Sequence, residues 1–166
     1  MIVLGVDTSL RSTGYGVLEV AGSRFTARAW GHIPNRREAR VSDCLVAIHA
    51  KIAALIDEFA PDVVSVEKVI YGKNANTMMV LGEARGAVIV AGADAARPIY
   101  EYEPRRVKMA VCGNGLAEKG QVQRMVKTLL ALAELPQNDA ADALALAICH
   151  AHSTSRLASV VPPSQV

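Results

Sequence analysis

The sequence predicts an α/β fold, a five-stranded mixed sheet flanked by helices, and three observations carry that prediction. The chain opens on an unbroken apolar run, residues 1–7, that stops at the carboxylate of Asp7. A run that short is the pattern of a central strand buried on both faces. Hydrophobic residues make up 51% of the chain but aromatics only 4%, so the core is built from Val, Leu, Ile and Ala, as suits α/β layers better than a β-sandwich. Short apolar runs also alternate with stretches of helical period. One domain is expected over residues 1–153, long enough to bury a core, followed by a frayed tail at 154–166 with Pro162-Pro163.

After the first strand, residues 13–20 alternate well enough for a second, and Ala21-Gly22-Ser23 turns the chain into a third over 24–33. Pro34-Asn35 ends this meander. Between 38 and 59, Val41, Leu45, Ile48, Ile52, Leu55 and Phe59 recur in steps of three and four, an amphipathic helix that Pro61 closes. Residues 63–67 form a buried strand that, after a helical crossover, lies parallel to the first.

A loop over 69–76 leads into a second helix at about 75–95, whose Gly82 and Gly86 lie one turn apart. Each glycine costs a helix about 1 kcal/mol, so a compensating close approach is expected, against the sheet first and in a dimer second. A fifth strand covers 99–101. Helices at about 105–111 and 118–132 follow, parted by Gly113-Asn114-Gly115, and the last spans about 139–152. Lone Trp30, on the third strand, is expected in the core.

The formal charge of +2 argues for no particular partner. Local basic clusters (Arg36, Arg37 and Arg40; Arg105, Arg106 and Lys108; Lys119, Arg124 and Lys127) read on composition alone as solvated faces. Cys44, Cys112 and Cys149 are odd in number with no Cys-x-x-Cys pair, so reduced thiols are expected. Cys149-His150-Ala151-His152 puts only Cys149 and His152 on one helical face, too little for zinc. No basic leader precedes the first apolar run, and no later run is long enough to span a bilayer. A cytoplasmic protein is expected.

The acids carry the chemistry. Asp7 and Glu67 each end an apolar strand, where a charge is costly unless a cation neutralises it. If the first and fourth strands are neighbours, the two carboxylates stand side by side at one sheet edge. Asp139 and Asp142, three apart, share a face of the last helix in its first turn, where acids also serve as ordinary caps. All-oxygen clusters of this kind suit Mg²⁺ or Mn²⁺, and paired ions catalyse phosphoryl hydrolysis by activating water and holding the leaving oxygen.

Gly5-Val6-Asp7, Thr13-Gly14-Tyr15-Gly16, Glu67, Lys73-Asn74, Leu81-Gly82 with Ala84-Arg85-Gly86, and Asp139-Ala140-Ala141-Asp142 resemble, in order and spacing, the RuvC family of Holliday-junction resolvases. The resemblance covers about residues 1–152. It implies an RNase H-like fold and a homodimer that nicks two opposed strands of a four-way DNA junction, leaving 5′-phosphate and 3′-hydroxyl ends. It also implies two Mg²⁺ ions per site, with Mn²⁺ as a substitute, held by Asp7, Glu67, Asp139 and Asp142. Lys108 and Lys119 match family lysines near the scissile phosphate, where a cation offsets developing charge. DNA contacts implied by position are Ile70, Tyr71, Lys73, Asn74, Arg85, Lys108 and Lys119, and the implied partners are the RuvA–RuvB branch-migration proteins.

Two departures stand out. Many members follow the first Asp with Pro-Gly, where this chain has Thr8-Ser9; a positive φ there would suit Ser9 poorly. The family usually places aromatics shortly after the strand-four Glu, whereas here Ile70 comes first and Tyr71 next. Stacking on a base is worth roughly 1–3 kcal/mol and needs a π face, so either Tyr71 supplies it or an apolar wedge suffices. The rival readings are an RNase H-like nuclease on another branched or RNA-containing substrate and a non-catalytic junction-binding protein. An actin-like ATPase also begins with Asp after a strand, but it needs two such domains and a second phosphate loop.

Overall fold

A computed structural model describes residues 1–69, 74–154 and 164–166. Six strands form one mixed sheet: β1 (Ile2–Asp7), β2 (Ser12–Ala21), β3 (Arg24–Pro34), β4 (Val63–Glu67), β5 (Ile99–Tyr102) and β6 (Ser164–Gln165), in the order β3-β2-β1-β4-β5-β6. The helices are α1 (Val41–Phe59), α2 (Ala75–Asp94), α3 (Pro104–Cys112), α4 (Lys119–Leu129) and α5 (Asn138–Thr154). The sheet therefore has six strands where five were expected. The sixth comes from the segment read as a tail: Ser164 and Gln165 pair antiparallel with Glu101 and Tyr100, and the Val166 N–H donates to Ile99 O at 3.0 Å. Two polar residues after a Pro pair carry no strand signal, so only the free edge of β5 reveals the pairing.

β1 pairs with β2 antiparallel and with β4 parallel, the latter with Val3 opposite Val63 and Val6 opposite Val66. Strand alternation then divides the core in two. Leu4, Val6, Val17, Val64 and Val66 face α1 and α2 with Ile48, Ile52, Leu55 and Val88. Val3, Leu18 and Val63 face α3, α4 and α5 with Val107, Val122, Val126, Leu144 and Ile148. By the same parity Asp7 and Glu67, the next residue after Val6 and Val66, turn toward α5.

α5 lies unusually close to the sheet. Its inner positions are mostly Ala, and the strand positions beneath them are Gly5, Gly14 and Gly16. A Cβ on Gly5 would overlap Ala143 O, one on Gly14 would overlap Asp139 O, and one on Gly16 would fall 2.7 Å from the Leu144 side chain. Ser65 Oγ, on β4, donates to Leu146 O at 3.0 Å and pins the same helix from the next strand. The glycine track lets the helix carrying Asp139 and Asp142 settle onto the strand carrying Asp7.

The remaining boundaries follow local chemistry. α1 ends on Ala60 in the left-handed conformation before Pro61, and Pro104 opens α3, which stops at Gly113 with φ 68°. Glu118 and Gln121 form a capping box on α4, so Lys119 is its first helical residue. Two expectations fail here. Trp30 is 43% exposed, because β3 is an edge strand whose outer face no helix fully covers. Gly82 and Gly86 have nothing among the described residues within 4 Å of where a Cβ would lie, so packing against the sheet does not account for them.

Candidate active site

Asp7, Glu67 and Asp142 line one cleft of about 270 Å³, together with Lys108, Lys119, Pro104, Val107, Val122 and Leu146. Three elements deliver the acids: β1 and β4 end side by side, and the N-terminal part of α5 crosses above them, with Asp139 in its first turn and Asp142 just after it. Lys108 comes from α3 and Lys119 from α4, so the cations face the acids across the cleft.

The electrostatics are those of crowded negative charge. Burial, then repulsion from Asp142 and Glu67, pushes the Asp7 carboxyl up to about 7, against a smaller opposing pull from Lys119. Burial and then Asp142 raise Glu67 likewise. Lys119 Nζ lies 3.0 Å from Asp142 Oδ2, and that hydrogen bond and charge hold its ammonium above the usual lysine range. Asp139 stands to one side, accepting a short hydrogen bond from Ser12 Oγ. Among the described residues no three acidic, His or Cys side chains already converge on a single point. The fit to a cation rests on donor type and charge: all-oxygen ligands, of which two are destabilised by proximity to the others and one is answered by an ammonium.

The structure brings together Asp7, Glu67, Asp142, Lys108 and Lys119 and sets Asp139 beside them through Ser12. Two other expected positions are engaged elsewhere. Asn74 is the N-cap of α2, its side chain accepting from Thr77 N–H at 3.1 Å. Arg85 turns inward: its side chain is 15% exposed and its Nη2 donates to Glu101 Oε2 at 2.7 Å, with Lys68 Nζ 3.7 Å from the same carboxylate. Ile70, Tyr71 and Lys73 lie outside the described residues.

Sequence reasoning missed Ser12, because a serine at a strand start reads only as part of a turn. It also missed Gly5, Gly14 and Gly16 as the floor beneath α5, though Gly14 and Gly16, two apart on β2, were a usable signal. The Thr8-Ser9 departure costs no strain, since Ser9 is not among the residues of positive φ. Its turn is tied by Thr13, whose Oγ1 donates to Ser9 O at 2.5 Å and accepts from Ser9 N–H at 3.4 Å.

A mixed sheet of this order, with carboxylates from β1, β4 and α5 gathered at one edge, defines a nuclease of the RNase H-like class. The model of the family "Crossover junction endodeoxyribonuclease RuvC" matches residues 3–150. RuvC of Pseudoalteromonas translucida is 47% identical over 156 residues, spanning 94% of this chain and 89% of that protein, and RuvC of Citrifermentans bemidjiense is 46% identical over 153, spanning 92% and 93%. The structure of Thermus thermophilus RuvC in complex with Holliday junction substrate superposes with a TM-score of 0.86 at 33% identity, covering 91% of this chain and 93% of that one. The yeast mitochondrial Holliday junction resolvase Ydc2 shares the fold at a TM-score of 0.64 and 12% identity, covering 89% and 76%. The chain belongs to the RuvC family of crossover junction endodeoxyribonucleases, whose nucleases depend on metal.

Proposed function

We propose that the protein resolves four-way (Holliday) DNA junctions by paired, symmetric, Mg²⁺-dependent nicks during recombination and repair. The observation that carries this reading is the meeting of Asp7, Glu67 and Asp142 in one cleft with Lys108 and Lys119 opposite, in a chain of this family.

Asp7, Glu67, Asp142 and Asp139 are the residues that would hold two Mg²⁺ ions, or Mn²⁺ in their place. Bound there, the ions supply Lewis acidity at the phosphate and lower the pKa of water. The chain's own groups do the rest. Lys119 holds the Asp142 carboxylate in place and offers positive charge where the phosphoryl oxygens gain negative charge. Lys108 adds a second cation on the same wall. Ser12 fixes the rotamer of Asp139. Pro104, Val107, Val122 and Leu146 make the cleft wall apolar, which strengthens each of these interactions by lowering the local dielectric.

Cutting two opposed strands takes two such sites, and each chain has one, so the working unit is a homodimer. The exposed face of α2 suits the contact: Met79 and Val90 are exposed there, Val46 of α1 is exposed beside it, and Gly82 and Gly86 leave room for a second backbone. Residues 1–153 act as a single nuclease domain. Ile70 and Tyr71 wedge or stack at the junction centre, Lys73 meets phosphate, and branch-migration proteins of the RuvA–RuvB type deliver the junction. No helix among the described residues is long and apolar enough to cross a membrane; we place the protein in the cytoplasm, where its DNA is.

The test is a gel assay with a labelled four-way junction, a linear duplex and an RNA–DNA hybrid, each with Mg²⁺, with Mn²⁺ and with chelator. Paired nicks in the junction alone, lost with chelator, are expected. Equal cutting of the hybrid, or junction binding with no cutting in either metal, overturns the reading.

A further inference from the structure

The turn between β3 and α1 carries Arg36, Arg37 and Arg40, and the sheet register brings it to the active-site edge. Asp7 pairs with Gly14, and two residues earlier on β2, Ser12 pairs with Pro34 at the end of β3. The ends of β1, β2 and β3 thus share one edge, and the turn leaves it two strands from Asp7. At about 4.8 Å between strands and 3.3 Å per residue along them, Pro34 lies roughly 12 Å from Asp7, and Arg36 and Arg37 follow it.

The turn is built, not merely exposed. Arg11, on the segment that follows Asp7, reaches beneath it and donates through Nη1 to Arg36 O at 2.6 Å, to Ala39 O at 3.1 Å and to Cys44 Sγ at 3.4 Å. Asn35 binds back to the same segment: its N–H donates to Arg11 O at 3.0 Å and its Nδ2 to Leu10 O at 2.9 Å. Ala39 N–H closes the turn on Arg36 O. One guanidinium is therefore spent on holding the backbone that presents two others. Arg36 and Arg37 are exposed and have no ion pair among the described residues, whereas Arg40 is paired with Asp43 at 2.9 Å. Glu38 is the one acid within the turn.

We propose that this Arg11-braced turn binds the DNA backbone beside the cut, with Arg36 and Arg37 contacting phosphates. The proposal rests on the junction-nuclease reading and extends its footprint. Lys108 and Lys119 flank the acids on the helix side of the cleft; Arg36 and Arg37 extend the positive charge along the sheet edge in the other direction. With a phosphate every 3.4 Å of helix axis on each strand, 12 Å or a little more places their contacts roughly four nucleotides from the scissile bond. Guanidinium forks suit phosphate oxygens, and a turn already fixed by six hydrogen bonds loses little freedom on binding.

The experiment is junction binding by fluorescence anisotropy in EDTA over a salt series, joined to ethylation interference on the cut strands. The double variant Arg36→Ala/Arg37→Ala is expected to bind about tenfold more weakly at low salt. Its slope of log K against log salt should shrink by roughly 2, close to 0.9 per lost contact. Interference roughly four nucleotides from the cut should vanish. Arg36→Lys/Arg37→Lys keeps the slope, and Arg24→Ala, at the far end of β3, changes nothing. An unchanged slope with intact interference in the double alanine variant overturns this inference while leaving junction cleavage by the wild type standing. A fall in affinity with no change in slope overturns it too. A wild-type protein that neither binds nor cuts junctions removes the parent reading and this one with it.

Discussion

Gly14 and Asp139 meet backbone to backbone: a side chain on the first would occupy the carbonyl oxygen of the second. That contact sets how far the N-terminal end of α5 sinks toward β2, and so where Asp139 and Asp142 stand relative to Asp7. Gly14→Ala is expected to cost about 2–4 kcal/mol, at or above the usual range for overpacking, because the obstacle is main chain and cannot rotate away. Single-turnover cleavage should fall by at least tenfold in the fraction that remains folded. Urea melts and cleavage at saturating enzyme measure the two; loss of stability with normal chemistry would contradict the link.

Asp7→Asn is expected to abolish cleavage, by more than about 10³-fold, while junction binding persists; retained cutting would sink the site assignment. The same change should stabilise the metal-free protein. The folded state raises the Asp7 carboxyl from 3.8 to about 7, so it binds that proton more tightly than the unfolded chain does. Its stabilising contribution is whole below about 4 and lost as pH rises through 7. In EDTA, the melting advantage of Asp7→Asn over wild type should therefore grow from pH 5 to pH 8, by about 1–2 kcal/mol or roughly 3–6 °C. An advantage that shrinks with pH contradicts the assignment of the shift.

Lys119→Met should slow single-turnover cleavage by about 10²-fold, the scale of removing one donor from developing charge, and Lys119→Arg should recover part of it. Because the ammonium also pulls the Asp7 carboxyl down, its loss should move the acidic limb of the pH–rate profile to higher pH. A rate loss with an unmoved profile would assign Lys119 to DNA binding alone.

Ser12→Ala removes the donor to Asp139. A fall in rate of about 3–10-fold with unchanged junction affinity is expected, and Ser12→Thr should retain most activity. Kinetics at saturating enzyme separate this orienting role from a role in affinity.

His150 is buried, with Nδ1 2.7 Å from the Tyr102 hydroxyl, and burial pushes it down to about 4 from 6.5. The unfolded chain takes up this proton first as pH falls, so stability drops between about 6.5 and 4, by about 3 kcal/mol in all. This runs opposite to the Asp7 contribution, so each is read from its own variant. His150→Gln, which still offers Tyr102 a polar partner, should show a shallower acid loss than wild type. An equally steep loss in both would place the titration elsewhere.

Much of the architecture was legible because it rests on patterns one element long. The run that stops at Asp7, the stepped apolar positions of α1 and the strand ending at Glu67 specify three elements, and the helical crossover between them sets β4 parallel to β1. Adjacency of Asp7 and Glu67 follows once the two strands are neighbours. What was not legible depends on partners distant in sequence. Arg85 and Asn74 both read as DNA contacts by position until Glu101 is seen beside the one and the amide of Thr77 is seen donating to the other. Trp30 reads as core because strand pattern does not say which strand will be at the edge. Gly82 and Gly86 signal a close approach, but nothing among the described residues makes one.

The glycine track also dictates when in the protein's life the site can exist. A ribosome releases β1 and β4, with Asp7 and Glu67, long before it releases α5. Until that helix docks on Gly5, Gly14 and Gly16, the nascent chain has half its acids and no means of gathering the rest. A strand-cutting centre split between the first strand and the last helix is thus withheld from unfinished chains. It is also disarmed by any break that frees α5, even one that leaves the sheet intact.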